Sequence, residues 1–312
     1  MTATPRAFVL INRSAGLGRA PRRYERVRAA LAARFALDEA EMDRAGAWQG
    51  DLDGALRSGI RVFLAAGGDG TVNAVASALF ARRQRIPLSR VTLGAVGLGS
   101  SNDFHKPFGT VLGGIPLRID MERGAPRDLV RASCEDAHGL VTERVFLVSA
   151  SMGVAAAANA LFNAPGRIGR AVQRRSVHLA VLFAGIRAIF RHDGIAAVLR
   201  TPESIETIEI SNLSISKTPH LAAGLRFEGA IAADSGLLAV NLCHGMSRWR
   251  LLATLARLSR GRFLGRPGTR HWKTARMGVE TREPAVVELD GEICLARKVL
   301  FEVIPERMSV CA

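Results

Sequence analysis

The segment Gly67-Gly68-Asp69-Gly70-Thr71 combines three glycines with one carboxylate and one hydroxyl. It follows the apolar run VFLAA and precedes a segment with helical periodicity, so it is predicted to join a strand to a helix. Glycine lets the backbone approach a ligand closely, and a helix that starts at once points its free N–H groups at the loop, which suits a phosphate. Asp69 would repel a bare phosphate, so it indicates a bridging cation such as Mg²⁺ or a hydroxyl that it orients. A plain strand-to-helix turn with Asp69 as the helix N-cap is the alternative.

Two further loops place glycines beside short polar side chains at the ends of predicted strands. Loop 11–19 (INRSAGLGR) follows AFVLIN, and loop 97–106 (GLGSSNDFHK) follows RVTLGAVGLG. Taken singly, each is also explained as an ordinary turn. The polar residues of interest in these two loops are Asn12, Ser14, Ser100, Asn102 and Asp103.

Strand and helix patterns alternate through the N-terminal third of the chain. Such alternation predicts parallel pairing and a sheet covered by helices on both faces. Ligands of parallel sheets bind at the carboxyl ends of the strands, and all three glycine loops fall at those ends. Three such loops at one edge of the sheet indicate a ligand site more strongly than any single loop does.

The chain is strongly basic, with 43 Lys and Arg against 28 Asp and Glu and a net charge of +15. This charge attracts anions such as nucleic acids, phosphorylated small molecules or an anionic membrane. No aromatic-rich RNA-binding pattern or zinc-finger spacing is present, so nucleic acid is not an expected partner. The four scattered cysteines and the lack of a signal-peptide pattern favour a reducing cytoplasm.

Two stretches hold much of the arginine, residues 167–191 and 247–276. Leucines fall at helical spacing in the second, which predicts a helix with one apolar and one basic face. Such a face fits an anionic lipid surface, and we expect peripheral association with a membrane through both stretches. A helix with its apolar face in the core and its arginines in solvent is the simpler alternative.

Four segments in order resemble the diacylglycerol kinase catalytic-domain family, which includes bacterial lipid kinases and the sphingosine and ceramide kinases. These segments are Asn12 to Gly18 (NRSAGLG), Gly67 to Ala74 (GGDGTVNA), Gly97 to Phe104 (GLGSSNDF) and VELDGE at 287–292. Segments 146–159 and 227–242 resemble further parts of the family pattern. The chain departs from it at Ala74, where the family has Glu, and at Ser235, where the family has a second Asp beside Asp234.

The resemblance implies an α/β fold in two domains. Residues 1–130 would form a three-layer α/β nucleotide-binding domain with a parallel sheet, like that of NAD kinases. Residues 131–312 would form a β-rich sandwich domain that presents the lipid, interrupted by a helical stretch near 167–191. The C-terminal tail would pack back on the first domain.

The resemblance also implies an ATP- and Mg²⁺-dependent lipid kinase that acts on diacylglycerol or a similar lipid alcohol in phospholipid metabolism. Asp290 would be the general base, with Asp69 competing for that role as in the sphingosine kinases. Mg²⁺ would be held by Asp69, Asp103 and Asp128. The residues implied in nucleotide binding are Asn12, Ser14, Gly67, Gly68, Gly70, Thr71, Ser100, Asn102 and Glu292.

Three alternatives remain open from the sequence. Asp290-Gly291 also fits a simple hairpin turn. An NAD-kinase-like enzyme shares GGDGT, although the SNDF loop and the DGE motif favour a lipid kinase. A binding protein that has lost turnover is the third, and Ala74 is the only direct argument for it. The oligomeric state is left open between a monomer and a homodimer.

Overall fold

Strand β3 (Val62–Gly67) is buried along its whole length and lies inside a parallel sheet. Its neighbours are β1 (Arg6–Ile11) and β4 (Thr92–Gly97), and β2 (Ala36–Glu41) pairs with the other side of β1, which gives the order β2-β1-β3-β4. Apolar runs such as VFLAAG are typical of parallel strands covered on both faces. The predicted parallel sheet is confirmed.

Four helical segments belong to this part of the chain: α1 (Ala15–Gly18), α2 (Ala20–Ala32), α3 (Trp48–Arg57) and α4 (Asp69–Ala81). In α2, Tyr24, Val27 and Leu31 are buried at helical spacing. Two 3₁₀ turns lie at Leu88–Arg90 and Asp103–His105. The short strands β5 (Thr110–Leu112) and β6 (Ile115–Arg118) pair with each other, and β6 runs antiparallel to β4.

Strand β2 was not predicted from the sequence. Its residues, ALDEAE, contain three acidic side chains and little apolar character, and all six are partly or fully exposed. The strand forms because its backbone pairs in register with β1, from Arg6 opposite Ala36 to Ile11 opposite Glu41. An edge strand with charged side chains carries no apolar run that could reveal it.

The structure is a computed structural model that describes residues 4–43, 45–221, 224–229 and 231–312. The chain divides into one unit of Met1–Leu129 with Glu306–Ala312 and a second unit of Val130–Pro305. The sequence prediction placed a single boundary at 130/131 and expected the tail to return to the first domain. The first three residues of the predicted first domain and Ala230 of segment 227–242 lie outside the described residues.

The second unit is built on antiparallel strands in the order β13-β12-β11-β10-β14. Strand β9 pairs with both β11 and β14, and β7 pairs with β8. Phe146, Val240 and Phe301 are among the fully buried residues of its core. The ranges are β7 (Ala125–Glu135), β8 (Val141–Phe146), β9 (Ser149–Gly153), β10 (Ile195–Arg200), β11 (Ile205–Ser216), β12 (Leu238–His244), β13 (Thr269–Thr274), β14 (Arg276–Leu289) and β15 (Glu292–Val310).

Four helices accompany these strands: α5 (Val154–Asn163), α6 (Arg167–Arg175), α7 (Val177–Arg191) and α8 (Arg248–Leu258). The helical stretch predicted at 167–191 is two helices, because Ser176 is extended and caps α7 by accepting the Leu179 N–H. Segment 146–159 contains strand β9 and the first part of helix α5, and this helix was not predicted from the sequence. Within the described ranges, no helix is long and apolar enough to span a bilayer.

Candidate functional site

The first glycine loop leaves β1 at Asn12, which ties it to α4. Asn12 Nδ2 donates to Thr71 Oγ1 at 3.0 Å, and Asn12 Oδ1 accepts from both the backbone N–H and the hydroxyl of Ser14. Gly16 has a φ of 59°, and a Cβ atom there would lie 2.5 Å from the Leu98 carbonyl oxygen. Glycine is therefore required where this loop packs against the third one.

The second glycine loop turns from β3 straight into α4. Gly68 is the N-cap residue, and no side chain caps the helix at this position. The alternative in which Asp69 caps the helix is therefore not what the structure shows, because Asp69 is the first helical residue. A Cβ atom on Gly67 would overlap the Thr71 hydroxyl, so the turn admits only glycine at this position.

The third glycine loop is shaped by Asn102, whose side chain points back into it. Asn102 is buried and has a φ of 52°, a left-handed conformation that Asn tolerates. Its Oδ1 accepts the Gly99 N–H at 3.0 Å, and its Nδ2 donates to the Gly97 and Gly99 carbonyl oxygens at 3.3 and 3.2 Å. Asn102 thus fixes the loop backbone from within.

Direct contacts bring the second and third loops together. Asp69 Oδ1 accepts the Phe104 N–H at 2.8 Å, and a Cβ atom on Gly99 would overlap Gly68 Cα. The guanidinium of Arg23 donates to two carbonyl oxygens of the third loop, at 2.9 and 3.1 Å. The expectation that the three loops meet at one edge of the sheet is confirmed, and they form a single cradle.

The predicted nucleotide-binding side chains fall into two groups in this cradle. Thr71 and Asn102 are buried, and their polar atoms bond to the protein itself. Ser14 and Ser100 are exposed, and the glycines Gly68 and Gly70 are partly exposed. The groups that a ligand can reach are therefore the two serine hydroxyls and the glycine backbone, whereas the buried side chains position that backbone.

Two of the predicted metal-binding aspartates have cationic partners. Asp103 lies 2.6 Å from Lys106 Nζ and accepts a hydrogen bond from Ser101. Asp128 is 1% exposed and accepts from Arg307 Nε at 3.1 Å. In the part of the chain that the structure describes, no three His, Cys, Asp or Glu residues are grouped so that they alone could hold a metal ion. The metal roles stay predictions.

Buried positive charge lies beside the third loop. Arg118 Nε donates to the Phe104 carbonyl oxygen, and the Arg127 guanidinium lies 4.8 Å from the centre of the Phe104 ring. Burial, with a smaller contribution from these two arginines, lowers the pKa of His105 to about 4, so the imidazole is neutral near pH 7. The local charge therefore comes from guanidinium groups, which suits an anionic ligand.

Asp290 occupies the turn between β14 and β15 in the second unit. Asp290 and Gly291 both have positive φ, as a tight two-residue hairpin turn requires, so the hairpin is confirmed. The side chain is 3% exposed and accepts three backbone N–H groups, from Leu147 at 2.8 Å, Val148 at 3.0 Å and Ser149 at 2.9 Å. It anchors the turn to the segment before β9.

Two glutamates flank this turn with different surroundings. Glu288 is buried, accepts from the Ser151 hydroxyl at 2.7 Å and accepts the Gly291 N–H at 2.6 Å. Glu292 is exposed. The hairpin thus carries one exposed carboxylate and two buried ones, and Asp290 is one of the buried pair. Its role as a base and the nucleotide contact of Glu292 stay predictions.

Sequence reasoning did not find several residues that shape the site. Arg23, Lys106 and Arg307 are single basic residues whose partners are carbonyls or carboxylates of the predicted motifs. In a chain this rich in arginine, nothing local separates them from solvent-exposed basic residues. The only signal was that Lys106 lies three positions after Asp103, a spacing at which side chains can meet.

Two protein-family models match the chain, one in its N-terminal part and one in its C-terminal part. Residues 6–127 match the diacylglycerol kinase catalytic domain, and residues 148–312 match the YegS C-terminal NAD kinase beta sandwich-like domain. A probable lipid kinase YegS-like protein of Xanthomonas oryzae pv. oryzae (strain MAFF 311018) is 27% identical over 261 residues, which cover 82% of this chain and 80% of that protein. The protein of that name from Stenotrophomonas maltophilia (strain K279a) is 26% identical over 266 residues, with the same coverages.

Solved structures show the same fold at low sequence identity. A diacylglycerol kinase from Bacillus anthracis str. Sterne superposes with a TM-score of 0.67 at 16% identity, over 100% of this chain and 98% of that one. Yeast NADH kinase complexed with NADH superposes with a TM-score of 0.53 at 8% identity, over 100% of this chain and 84% of that one. The predicted fold, an α/β domain followed by a β-rich domain, is confirmed.

Proposed function

We propose that this chain, which belongs to the diacylglycerol kinase catalytic-domain family of lipid kinases, transfers the γ-phosphate of ATP to the hydroxyl group of diacylglycerol or a similar lipid alcohol. The observation that carries the proposal is the cradle of three glycine loops at the carboxyl edge of the parallel sheet. Its backbone is fixed by Asn12, Thr71 and Asn102, and its wall includes the start of α4. Backbone N–H groups in such a setting bind phosphate.

The shape of the cradle and its exposed hydroxyl groups support nucleotide binding. Side chains at Gly67 or Gly99 would collide with neighbouring loop atoms, so glycine lets the loops approach this closely, and the backbone of Gly68 and Gly70 stays partly exposed. The hydroxyls of Ser14 and Ser100 are exposed at the same edge. We propose that the glycine backbone and these hydroxyls hold the phosphates of ATP. Phosphoryl transfer depends mainly on such positioning of the reacting phosphate.

The carboxylates near the cradle fit a Mg²⁺ ion that arrives with the nucleotide. Kinase sites hold this ion with one or two carboxylates, substrate phosphates and water, so no cage of three carboxylates is needed. We propose that Asp69 and Asp103 face it through water and that Asp128 supports the site through its pair with Arg307. When bound, Mg²⁺ would neutralise charge on the transferred phosphoryl group.

Two aspartates compete to accept the proton of the lipid hydroxyl. Asp290 belongs to the DGE motif, but three N–H groups occupy its oxygens and it is buried. Asp69 is partly exposed at the cradle, and its bond to Phe104 N–H would survive in Asp69→Asn, since the amide keeps an acceptor oxygen. An Asp69→Asn variant therefore removes the charge with little effect on the fold. Loss of activity in this variant is easier to interpret than loss of activity in Asp290→Asn.

The first experiment is a transfer assay with labelled ATP, Mg²⁺ and detergent-dispersed lipids. Diacylglycerol, monoacylglycerol, phosphatidylglycerol, sphingosine and ceramide are the acceptors, and NAD is a separate arm. We expect label on a lipid, with a loss of about 100-fold or more in Asp69→Asn or Asp290→Asn, according to which one is the base. Label on NAD alone, or on no acceptor, would contradict the proposal.

A substitution at Ala74 tests whether the chain is an active kinase or a relative that has lost most of its activity. It lies on α4, one residue after Asn73, where the family has a glutamate. If Ala74→Glu raises transfer by orders of magnitude, the natural chain is nearly inactive. We expect a change of less than about tenfold, because the loops around the cradle are intact without this carboxylate.

A further inference from the structure

One face of α7 exposes a row of large apolar side chains to solvent. Leu179, Leu182, Ile186 and Phe190 are 37–52% exposed and recur at helical spacing along one side of the helix. The other side buries Ala180, Ala184 and Ala188 against the protein. Helix α7 therefore packs mainly through alanines, with Ile189, and leaves four of its large apolar residues uncovered, which is unusual for a surface helix.

The apolar row continues onto the neighbouring helices. Phe190 contacts Trp249 at the start of α8, with ring centres 6.2 Å apart, and Trp249 is 74% exposed. On α6, Ile168 is 66% exposed. We call this set, on α6, α7 and the start of α8, the apolar ridge. Contiguous exposed apolar side chains of this size mark an interaction surface.

Arginines border the apolar ridge. Helices α6 and α7 carry six of them, all exposed, and no residue from 144 to 192 is acidic. None of these six makes an ion pair with any residue that the structure describes. Near α8, Asp193 lies 3.5 Å from Arg248. The six are Arg167, Arg170, Arg174, Arg175, Arg187 and Arg191.

A cavity of about 410 Å³ lies between α5, α6 and α7 and is also lined by both apolar side chains and arginines. Leu161, Phe162 and Phe183 are among its apolar lining, whereas Arg187 and Arg191 are among its charged lining. Apolar surface and guanidinium groups side by side match a molecule that has an anionic head and an apolar body.

We propose that the apolar ridge and its arginines dock the protein on the surface of an anionic phospholipid bilayer. Large aliphatic and aromatic side chains would enter the boundary between headgroups and acyl chains, and the arginines would meet the headgroup phosphates. The arginines alone would also suit a nucleic acid, but the exposed apolar side chains of α7 would find no apolar surface to contact on a nucleic acid. The inference extends the proposed function, because it states how a lipid kinase would reach a substrate that lies in a membrane.

The test is co-sedimentation with vesicles, without ATP. Wild type is mixed with vesicles of pure phosphatidylcholine and with vesicles that also contain phosphatidylglycerol. Two variants alter the surface: Leu182→Asp with Ile186→Asp, and Arg187→Glu with Arg191→Glu. Matched controls are Leu140→Asp with Val141→Asp, at another exposed apolar site, and Arg282→Glu, at another exposed arginine. Circular dichroism verifies folding.

We expect wild type to bind phosphatidylglycerol vesicles and both surface variants to lose about tenfold or more in partitioning, because one variant loses the apolar insertion and the other loses the attraction to headgroup phosphates. The controls should bind like wild type. Equal binding by variants and wild type would overturn the proposal, as would binding to a DNA duplex that falls in the arginine variant but not in the leucine variant. Transfer to detergent-dispersed lipid should persist in the Leu182→Asp with Ile186→Asp variant and in the controls, so failure here is distinguishable from failure of the proposed activity.

Discussion

At the scale of single residues, the structure separates polar groups that can face a ligand from those that build its site. Thr71 and Asn102 are buried and bond to the glycine loops, whereas Ser14 and Ser100 remain exposed. Side chains of the first kind act by positioning the backbone. Substituting them should therefore change loop stability together with nucleotide affinity, while the exposed serines should affect affinity alone.

Asp290→Asn should destabilise the second unit. Asparagine offers one acceptor oxygen where Asp290 accepts three backbone N–H groups, so buried donors lose their partners, at a cost of about 2 kcal/mol or more in the free energy of unfolding. Chemical denaturation measures this cost. Asp136→Asn is the control, because Asp136 accepts backbone N–H groups in an exposed turn. Equal stability of both variants would contradict the anchoring role.

Cys294 should react with alkylating agents at lower pH than an ordinary thiol. Its sulfur lies 3.9 Å from that of Cys134, and the interaction between the two sulfurs lowers the pKa of Cys294. A lowered pKa means more thiolate at a given pH, so alkylation should reach half its maximal rate below the pH of about 8.5 typical of free cysteine.

Iodoacetamide labelling followed by mass spectrometry at several pH values measures this profile. Cys243 is the internal reference, because burial raises its pKa to about 12 and it should stay unlabelled near pH 7. Cys134→Ala should move the Cys294 profile to higher pH. An unchanged profile in that variant would show that the interaction between the two sulfurs has no such effect.

At the scale of elements, the site depends on how closely three strand-to-helix loops approach one another. Gly16, Gly67 and Gly99 each lie where a Cβ atom would meet another loop or the start of α4. The spacing of the loops is therefore set by backbone contact, and small changes in side-chain volume should act on all three together.

Gly67→Ala should disturb the cradle, because the added methyl group would overlap the Thr71 hydroxyl. We expect ATP affinity to fall about tenfold or more and the unfolding midpoint to drop, as for other overpacked sites. Isothermal titration and thermal melting measure the two effects. Gly54→Ala is the control: it lies in α3 with open space around it, and alanine there should stabilise the helix by about 1 kcal/mol. Normal ATP binding by Gly67→Ala would contradict this account of the turn.

At the scale of the whole molecule, the chain leaves its first unit near residue 129 and returns to it at residue 306. The returning segment pairs with β4 at Thr92 and Leu93 and buries Met308 and Cys311 completely. The first unit is therefore completed only when the last residues are present. This arrangement makes its stability depend on residues far away in the sequence.

Removal of residues 306–312 should destabilise the first unit, because β4 loses its pairing with Ser309 and Val310 and Asp128 loses Arg307. Trp48 is buried in α3 and reports on this unit when the other two tryptophans, Trp249 and Trp272, are replaced by Phe. We expect the Trp48 fluorescence transition to shift to lower denaturant. Glu306→Ala, at an exposed position, should leave it in place. An unshifted transition in the truncated chain would contradict a structural role for the tail.

The sequence by itself determined the alternation of strands and helices in the first unit and the meeting of three glycine loops at one sheet edge. Those features follow from local periodicity and from the rule that parallel strands end on the same side. The sequence did not predict edge strand β2, whose residues lack an apolar pattern, or helix α5.

Only the tertiary structure decided which polar groups are already engaged. Asp290 meets Leu147 across 143 positions of sequence, and Asp128 meets Arg307 across 179. Such pairings leave no local pattern, because a hydrogen bond between distant segments depends on how the chain folds and not on spacing along it. For the same reason, the exposed apolar row of α7 became visible only once its alanine side was seen to be buried.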